Sequence, residues 1–351
     1  MSEGYFHRLQ QETPTRLWIN NPTLAEADLA IAAGAISCTT NPAYSARIIK
    51  MEPERAARAI QAAIKESSDD QRAADIAQQR IVKEILEKFL PLYNRAPGLQ
   101  GLVSIQGNPH LDEDPAHIVD EAFRFRKIAP NFITKIPCTA AGLKAFEQLI
   151  PGNMPIIATE VFALAQASEV CELYQRVSKK CGKHPPFYVT HISGIFDECL
   201  AKTAEREGIR VSPEALAQAG CILARRQYAM MKQRGYNITL MGGGARGTHH
   251  FTEMVGGALH VTINWSTADE IIKANPPITS RIDAVPSEAI VDELCDKLPD
   301  FRAAYRDDGL TIEEFGHFAP LQFFRNMFVK GWDTLADAVR EQRSKVLATT
   351  A

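Results

Sequence analysis

The sequence contains no apolar run approaching about 18 residues, the length that a membrane-spanning helix needs. Its first residues, MSEGYFHRLQQETP, lack the apolar core of a signal peptide. The net charge of −3 brings neither the basic excess that is typical of nucleic-acid binding nor a long acidic tail. These features predict a cytoplasmic protein that binds neither membranes nor nucleic acids.

Cysteine pairs of the CxxC type are also missing. The seven cysteines are scattered, and an odd, dispersed set without an export signal is typical of reduced thiols in the cytosol. The remaining composition, with 45% hydrophobic and 23% charged residues, is ordinary for a globular protein. A length of 351 residues accommodates one large decorated domain or two domains.

Strand-like and helix-like segments alternate along most of the chain. About eight such units predict parallel strands with right-handed crossovers, which close into a (β/α)8 TIM barrel with extra helices. A doubly wound open sheet is the competitor, but the turn after the first strand lacks its glycine fingerprint. The strand-like segments are residues 16–21, 35–41, 101–107, 131–137, 155–161, 187–193, 237–241 and 258–265.

The predicted barrel occupies residues 1–275, with an N-terminal lead-in and a helical insertion at about 43–95. We expect residues 276–351 to form a C-terminal helical extension packed on the barrel. Three phenylalanines in this extension, Phe323, Phe324 and Phe328, could cover the barrel mouth. Ordinary core packing is the preferred interpretation of these three side chains.

A single lysine, Lys135, interrupts a short apolar strand that ends at Pro137 and is followed by Thr139 and a helix. Buried parallel strands are normally aliphatic throughout. Burial of the ammonium group favours the neutral amine and lowers its pKa. A neutral amine inside a barrel can attack a carbonyl and form a Schiff base. The alternative is a structural ion pair, or an amine that reaches the end of the strand.

Polar side chains surround Lys135 at the C-terminal ends of the predicted strands, where TIM barrels place their sites. Amides and hydroxyls there can bind sugar hydroxyls without bringing charge close to the amine. This ring favours a catalytic role for Lys135. Its members are Asn20, Asn21, Thr39, Thr40, Asn41, Gln106, Asn108, Thr159, Glu160, Thr190, His191, Ser193, Gly242, Gly243, Gly244, Arg246, Thr262, Asn264 and Trp265.

Four motifs together resemble the transaldolase family over roughly residues 16–275. They are TTNP at 39–42, KIP followed by TAxGLK at 135–144, TxxFxxAQA at 159–167 and MGGGAR at 241–246. The resemblance implies a class I aldolase in which Lys135 forms a Schiff base with a ketose, either a sugar or a sugar phosphate. It implies cleavage or transfer of a dihydroxyacetone-type unit, no cofactor and a place in the pentose phosphate pathway. Assembly into a homo-oligomer is left open.

The resemblance also implies individual roles. Asn41 would bind hydroxyls of the donor, Thr159 would orient a proton-relaying water, and Arg246 would bind the phosphate end. The candidate catalytic residues are Lys135, Thr159, Gln106 and Asn20, and the candidate substrate-binding residues are Asn41, Thr39, Thr190, Ser193, Gly243 and Arg246.

Several positions depart from the family pattern. Members usually carry an aspartate where this chain has Asn20, and a glutamate where it has Gln106, although some fructose-6-phosphate aldolase-like members also have glutamine there. An amide cannot take a proton from the 4-hydroxyl during C–C cleavage. The second phosphate-binding arginine falls near Ile195, the strand-five asparagine falls at Ile157, and the strand-six serine is Thr190.

Proton transfer could therefore have moved to another titrating side chain near the rim, either Glu160 or His191. Neighbouring strand residues face opposite ways. An inward Thr159 would turn Glu160 outward unless the strand has already ended, and an inward Thr190 would do the same to His191. Each is either a catalytic group or a hydrogen-bonded packing residue.

The glycine run has two interpretations. Gly242, Gly244 and Gly247 fit the GxGxxG pattern of dinucleotide binding, but a lone match late in the chain is weak. The loop after strand seven of such barrels also binds phosphate. Anion binding is therefore favoured, and with the single arginine Arg246 the anion would be a loosely held phosphate, a carboxylate or a sulfonate.

Histidines supply a rival hypothesis. His249 and His250, with His191 and His260, could hold zinc or iron in a metal-dependent lyase or hydrolase. Neither HxH nor HExxH spacing occurs, and adjacent histidines should diverge around a helix, so we expect no metal. A second rival, motivated by Asn20, is a sugar-phosphate-binding barrel that has lost turnover.

Overall fold

The computed structural model of the chain describes residues 4–350, with side chains as far as residue 348. Eight strands close into a barrel in chain order. This confirms the predicted (β/α)8 TIM barrel and excludes a doubly wound open sheet. The strands are β1 (Arg16–Asn20), β2 (Ser37–Thr39), β3 (Val103–Gln106), β4 (Phe132–Pro137), β5 (Ile156–Val161), β6 (Phe187–Ile192), β7 (Thr239–Gly243) and β8 (His260–Ile263).

Every strand pair in the barrel is parallel, including the pair of β1 with β8 that closes it. Since all strands run the same way, their C-terminal ends meet at one mouth. The register places Gln106 beside Lys135 across β3 and β4, and Asn20 beside Thr39 across β1 and β2.

Helices surround the barrel, and three of them form the segment between β2 and β3. Across residues 4–350, none has the length and apolar character to cross a membrane. They are α1 (Tyr5–Glu12), α2 (Leu24–Ala33), α3 (Ala43–Met51), α4 (Pro53–Glu66), α5 (Asp70–Arg95), α6 (Pro115–Arg126), α7 (Ala140–Leu149), α8 (Leu164–Cys181), α9 (Ser193–Glu207), α10 (Pro213–Gln233), α11 (His249–Thr252), α12 (Trp265–Ala274), α13 (Glu288–Lys297), α14 (Pro299–Tyr305), α15 (Ile312–Phe315) and α16 (Ala319–Thr350).

Local sequence signals determine where the helices next to the site begin. Thr139 caps α7 by accepting a hydrogen bond from the backbone N–H of Gly142 at 3.1 Å. Thr23 and Glu26 form a capping box at the start of α2. These caps hold the turns directly after β4 and β1, so the ends of those strands are rigid supports for side chains at the mouth.

An apolar layer fills the barrel below the mouth. Its buried residues are Trp18, Leu102, Ile133, Ile157, Tyr188 and Met241, and a larger apolar cluster lies between the strands and the outer helices. Ile157, at the position of the expected strand-five asparagine, belongs to this inner layer. Lys135 lies two residues after Ile133 on the same face of β4, so it is directly above the apolar floor.

Some predicted boundaries were wrong. The predicted strand 35–41 is only the three residues of β2, because Asn41 and Pro42 already begin the turn into α3. The alternation of segments also predicts a helix over residues 248–255, but only the four residues of α11 are helical there. The chain after Thr252 makes turns instead, and Val255 carbonyl accepts backbone hydrogen bonds from Arg281 and Ile282.

The long C-terminal helix α16 packs on α3, α4, α5 and α9 and reaches β5. Two of its phenylalanines, Phe324 and Phe328, line the cavity at the mouth, with Phe328 only 1% exposed. Both rings also belong to a buried apolar cluster, so they pack in the core and cover the mouth at the same time. The division at residue 275 into a barrel and an extension stays a prediction.

Candidate active site

Lys135 lies at the bottom of a cavity of about 420 Å³ that opens at the barrel mouth. The side chain is 6% exposed, and the Phe328 ring centroid lies 5.5 Å from its Nζ. Burial lowers the pKa of Lys135 to about 8, and the nearby Glu160 carboxyl opposes this shift. The amine is thus easier to deprotonate than an exposed lysine, as attack on a carbonyl requires.

Most of the predicted site residues converge on this cavity. Those that line it are Asn20, Thr39, Asn41, Lys135, Thr190, Gly243 and Arg246. Three predicted residues are not part of its wall: Gln106, Thr159 and Ser193. Ser193 is buried at the start of α9, where its hydroxyl donates to the Gly243 carbonyl at 3.4 Å.

A neutral hydrogen-bond network occupies the side of the cavity formed by β1, β2 and β8. Thr39 Oγ1 donates to Asn20 Oδ1 at 2.9 Å, and Asn20 Nδ2 donates to Asn264 Oδ1 at 2.9 Å. The hydroxyls of Thr39 and Thr262 lie 2.6 Å apart. Asn20 is therefore held through both ends of its amide, as a binding group that cannot take up a proton.

A bulge in β5 overturns the expected orientation of Glu160. Ala158 pairs with Val189 and Val161 pairs with His191, so two residues of β5 lie opposite one residue of β6. Glu160 adopts the left-handed conformation, with φ of 60°. This conformation is uncommon for residues other than glycine. Strict alternation therefore fails at this point, and the Glu160 carboxyl reaches the β3 side of the barrel.

The Glu160 side chain is fully buried, and its Oε1 accepts a hydrogen bond from Gln106 Nε2 at 3.0 Å. Burial raises the pKa of Glu160 to about 8, and the nearby Asp112 carboxylate adds to the rise. Lys135, Gln106 and Arg325 favour the charged form and limit the shift. Glu160 and Lys135 are thus an electrostatically linked acid and base inside the barrel.

His191 points away from the barrel interior, as the alternation with Thr190 predicts. Its Nε2 donates to the Gly220 carbonyl on α10 at 2.8 Å, and the side chain is fully buried. Burial lowers the pKa of His191 to about 4, so the ring is neutral at pH 7. Of the two titrating candidates near the rim, Glu160 alone lies beside Lys135.

Arg246 is engaged by protein groups at the outer part of the cavity. Its Nε donates to Glu198 Oε2 at 2.7 Å, and Lys202 contacts the other oxygen of Glu198 at 2.7 Å. Its backbone N–H donates to His250 Nδ1 at 3.3 Å. Ile195, at the position of the second family arginine, is buried in the cavity wall. The predicted anion site stays a prediction, with its arginine already paired.

The two adjacent histidines do not diverge as expected. The rings of His249 and His250 have centroids 3.9 Å apart, and Asp197 lies beside them. His250 Nε2 donates to Asp197 Oδ2 at 2.8 Å, and Asp197 Oδ1 accepts from the Gly220 N–H at 2.6 Å. A cation at this cluster would have to replace these hydrogen bonds, which at present join α9, α10 and the loop after β7.

The sequence of this chain matches a known protein family over most of its length. A family model described as Transaldolase/Fructose-6-phosphate aldolase matches residues 17–309, which contain the whole barrel except Arg16, the first residue of β1. The chain belongs to the transaldolase/fructose-6-phosphate aldolase family. It is a divergent member, as the identities with named relatives indicate.

Curated transaldolases from three organisms are examples of these relatives. The chain is 29% identical to that of Thiobacillus denitrificans over 168 residues, which are 46% of each chain. It is 26% identical to that of Helicobacter pylori over 173 residues, covering 48% of this chain and 51% of the relative. For Mycobacterium tuberculosis the values are 27% over 160 residues and 43% of each chain. The matches thus span about half the length of these relatives.

Sequence reasoning left two features of this family member unresolved. Glu160 required knowledge of the bulge, and the only sequence signal for it was a charged residue inside an apolar strand. Phe328 required knowledge of where α16 crosses the mouth. Its spacing from Phe324 places both rings on one face of a helix, but spacing alone cannot say which cavity that face covers.

Proposed function

We propose that this protein is a class I aldolase of the transaldolase type, with Lys135 as the Schiff-base nucleophile. The observation that carries the proposal is the buried Lys135 amine at the bottom of a polar barrel mouth, with its pKa lowered to about 8. Family membership supports the same reaction class.

In the proposed reaction, Lys135 Nζ attacks the C2 carbonyl of a ketose, and loss of water gives an iminium ion. Transfer of the 4-hydroxyl proton to a water molecule at the mouth then breaks the C3–C4 bond, whose electrons pass to the iminium and form an enamine. An aldehyde leaves, and the three-carbon unit is transferred to another aldehyde or released. Asn41 and Thr39 line the cavity and would orient hydroxyls of the donor, while Thr190 would help Arg246 to hold the distal end of the substrate.

The remaining predicted roles are proposals of the same kind. Thr159 and Gln106 would hold a water beside Lys135, and Asn20 would bind a substrate hydroxyl. Gly243 and Arg246 would lie at the distal end of the substrate, while the position of Ser193 supports a structural role instead. A cytoplasmic enzyme of the pentose phosphate pathway, acting on a sugar or sugar phosphate, is the corresponding proposal for the whole protein. Assembly of the chain stays open.

A turnover assay with matched variants tests the proposal. Transfer of a three-carbon unit from fructose 6-phosphate, and its release without an acceptor, would be measured for the wild type, Lys135→Met and Lys144→Met. Lys144 is an exposed lysine on α7 and serves as the control. We expect Lys135→Met to lose at least about 10³-fold in kcat and the control to lose nothing.

The same assay separates the rivals. Activity that disappears with EDTA and returns with zinc or iron would favour a metal-dependent lyase or hydrolase that uses the Asp197 cluster. Tight binding of sugar phosphates without turnover in the wild type would favour a barrel that lost catalysis, for which the neutral Asn20 network is the motivating observation.

A further inference from the structure

Glu160 is held in an unfavourable local conformation by a dedicated clamp. Gln166, fully buried at the start of α8, donates to the carbonyls of Glu160 at 3.3 Å and Cys138 at 3.0 Å. Its Oε1 accepts from the backbone N–H groups of Phe162 at 2.9 Å and Ala163 at 3.0 Å. The bulge that turns the Glu160 carboxyl inward is therefore tied to both β4 and α8.

Two costs attach to this arrangement. A non-glycine residue in a sparsely populated backbone region is strained and destabilises the fold. In the described part of the chain Glu160 Oε2 has no hydrogen-bond partner, and a buried polar atom in this state has lost its hydration without compensation. A leucine or valine at this position would avoid the second cost. The carboxyl thus weakens the fold in a place where it faces the amine proposed as nucleophile.

We infer that Glu160 is the acid–base residue for the Schiff-base steps at Lys135, in which the neighbouring amide of Gln106 cannot exchange a proton. This inference rests on the proposed function. The carboxyl comes from β5, and Gln106 on β3 orients it through the 3.0 Å hydrogen bond.

The proposed step is the dehydration of the carbinolamine at Lys135 by the proton of Glu160. Attack of the Lys135 amine on the C2 carbonyl gives a carbinolamine, with the amine proton transferred to the oxygen. The Glu160 carboxylic acid donates its proton to that hydroxyl, the C–O bond breaks, and water leaves. The nitrogen lone pair forms the C=N bond, so an iminium cation and a Glu160 carboxylate remain. Hydrolysis of the later adduct runs the same transfers in reverse.

The surroundings suit both charge states. The Glu160 carboxyl interacts electrostatically with Asp112 in the loop after β3, Lys135 on β4 and Arg325 on α16, and it accepts a hydrogen bond from the amide of Gln106. The charge of Glu160 also affects the Cys138 thiol. With a pKa of about 8 the acid holds its proton at neutral pH. Once ionised, it is the counter-ion of the iminium.

Space for a water molecule exists beside Gln106 and Lys135. A cavity of about 20 Å³, separate from the main cavity, has Gln106, Asn108, Asp112, Thr134 and Lys135 among its lining residues. This volume suffices for one water molecule, which needs about 10–15 Å³ and at least two polar partners. Glu160 does not line this cavity, but its hydrogen-bond partner Gln106 does, so a water there would lie next to the amide that orients the carboxyl.

The test measures the rate at which Lys135 is trapped by borohydride with fructose 6-phosphate, together with kcat, from pH 5.5 to 9. The variants are Glu160→Gln, the swap Gln106→Glu/Glu160→Gln, and Glu169→Gln as a control on the adjoining helix α8. We expect Glu160→Gln to lower both rates about 100-fold or more and to flatten the pH profile. The swap should recover part of the loss, because a carboxyl again faces an amide there.

Each outcome has a distinct meaning. Glu160→Gln with wild-type trapping and turnover would overturn the inference and leave the proposed function intact. Absence of any adduct in the wild type would overturn both. The thermal transition of Glu160→Gln checks that this variant is folded. If the folded variant shows slow trapping and turnover, and the swap is equally slow at every pH, Glu160 is only a structural residue and the inference is overturned.

Discussion

Lys135 and Glu160 occupy one low-dielectric space and shift each other's titration. Burial favours the neutral form of both, whereas their mutual attraction favours the charged form of both. Burial dominates, since both pKa values move to about 8 in the directions that burial dictates. The pair can therefore exchange protons with little change in free energy near neutral pH.

The ion pair of Arg246 with Glu198 at the distal end of the cavity predicts how a single substitution changes substrate binding. Glu198 neutralises Arg246, so a phosphate must compete with a carboxylate for the guanidinium. We expect Glu198→Gln to lower KM for a phosphorylated substrate about fivefold, equivalent to about 1 kcal/mol of a charge-assisted hydrogen bond. KM for the unphosphorylated ketose should stay the same. Steady-state kinetics with both substrates measure this.

Glu205→Gln, at an exposed position on the same helix α9, is the matched control. If Glu198→Gln changes KM equally for phosphorylated and unphosphorylated substrates, Arg246 does not bind the phosphate end.

Among the secondary structure elements, the regular ones were predictable from sequence. The strand–helix alternation identified the barrel because each unit carries its own apolar strand and amphipathic helix. Lys135, Asn20, Thr39 and Asn41 were found because strand ends must meet at one mouth. The fold could thus be derived from local patterns and a general rule of topology.

The irregular elements were not predictable, for a physical reason. The β5 bulge depends on the Gln166 clamp, which joins residues of β4, β5 and α8, and no local pattern reports such a contact. The paths of α11 and α16 likewise depend on tertiary packing. Arg325 fixes α16 over the mouth through hydrogen bonds to Asp112 at 2.8 Å and to the Pro109 carbonyl at 2.7 Å.

The position of α16 gives a prediction for the amine. Phe328 excludes water from Lys135, and its ring also attracts the ammonium form. At a desolvated site cation–π attraction is worth about 2 kcal/mol, roughly one and a half pKa units. Burial lowers the pKa of Lys135 from 10.5 to about 8 and is the larger effect. Phe328→Ala should therefore raise the pKa of Lys135 and slow trapping at pH 7.

The pH dependence of borohydride trapping measures this change. Trapping by Phe328→Ala should recover at alkaline pH, where the amine is again neutral. Phe323→Ala is the control, because that ring lies on the same helix but 4.7 Å from Lys202 Nζ. A pH profile identical to that of the wild type would show that α16 does not control the state of the amine.

For the whole molecule, one buried and one partly buried histidine predict loss of stability in acid. Burial lowers the pKa of His260 to about 3 and that of His191 to about 4. In the unfolded chain these two histidines take up protons near pH 6.5. Their contribution to the free energy of unfolding is therefore fully present above that pH and is lost as the pH falls towards 4. Each group adds a slope of up to about 1.4 kcal/mol per pH unit.

Urea unfolding between pH 4.5 and 7 measures the slope. Glu160 contributes with the opposite sign, because its pKa is raised, so the comparison must be between variants. His260→Gln retains an acceptor for Trp18 Nε1, which now donates to His260 Nδ1 at 2.9 Å. It should show a shallower loss of unfolding free energy than the wild type. An equal slope in both proteins would contradict the assignment of a neutral His260.

The most direct measurement is borohydride trapping, read by intact-protein and peptide mass spectrometry. The donors are fructose 6-phosphate, sedoheptulose 7-phosphate, dihydroxyacetone and an unphosphorylated ketose. We predict a stable adduct on the peptide that contains Lys135, present in Lys144→Met, absent in Lys135→Met, and with a mass that identifies the bound fragment. If no donor leaves an adduct under conditions that label a known Schiff-base aldolase, Lys135 is not the nucleophile and the account is wrong.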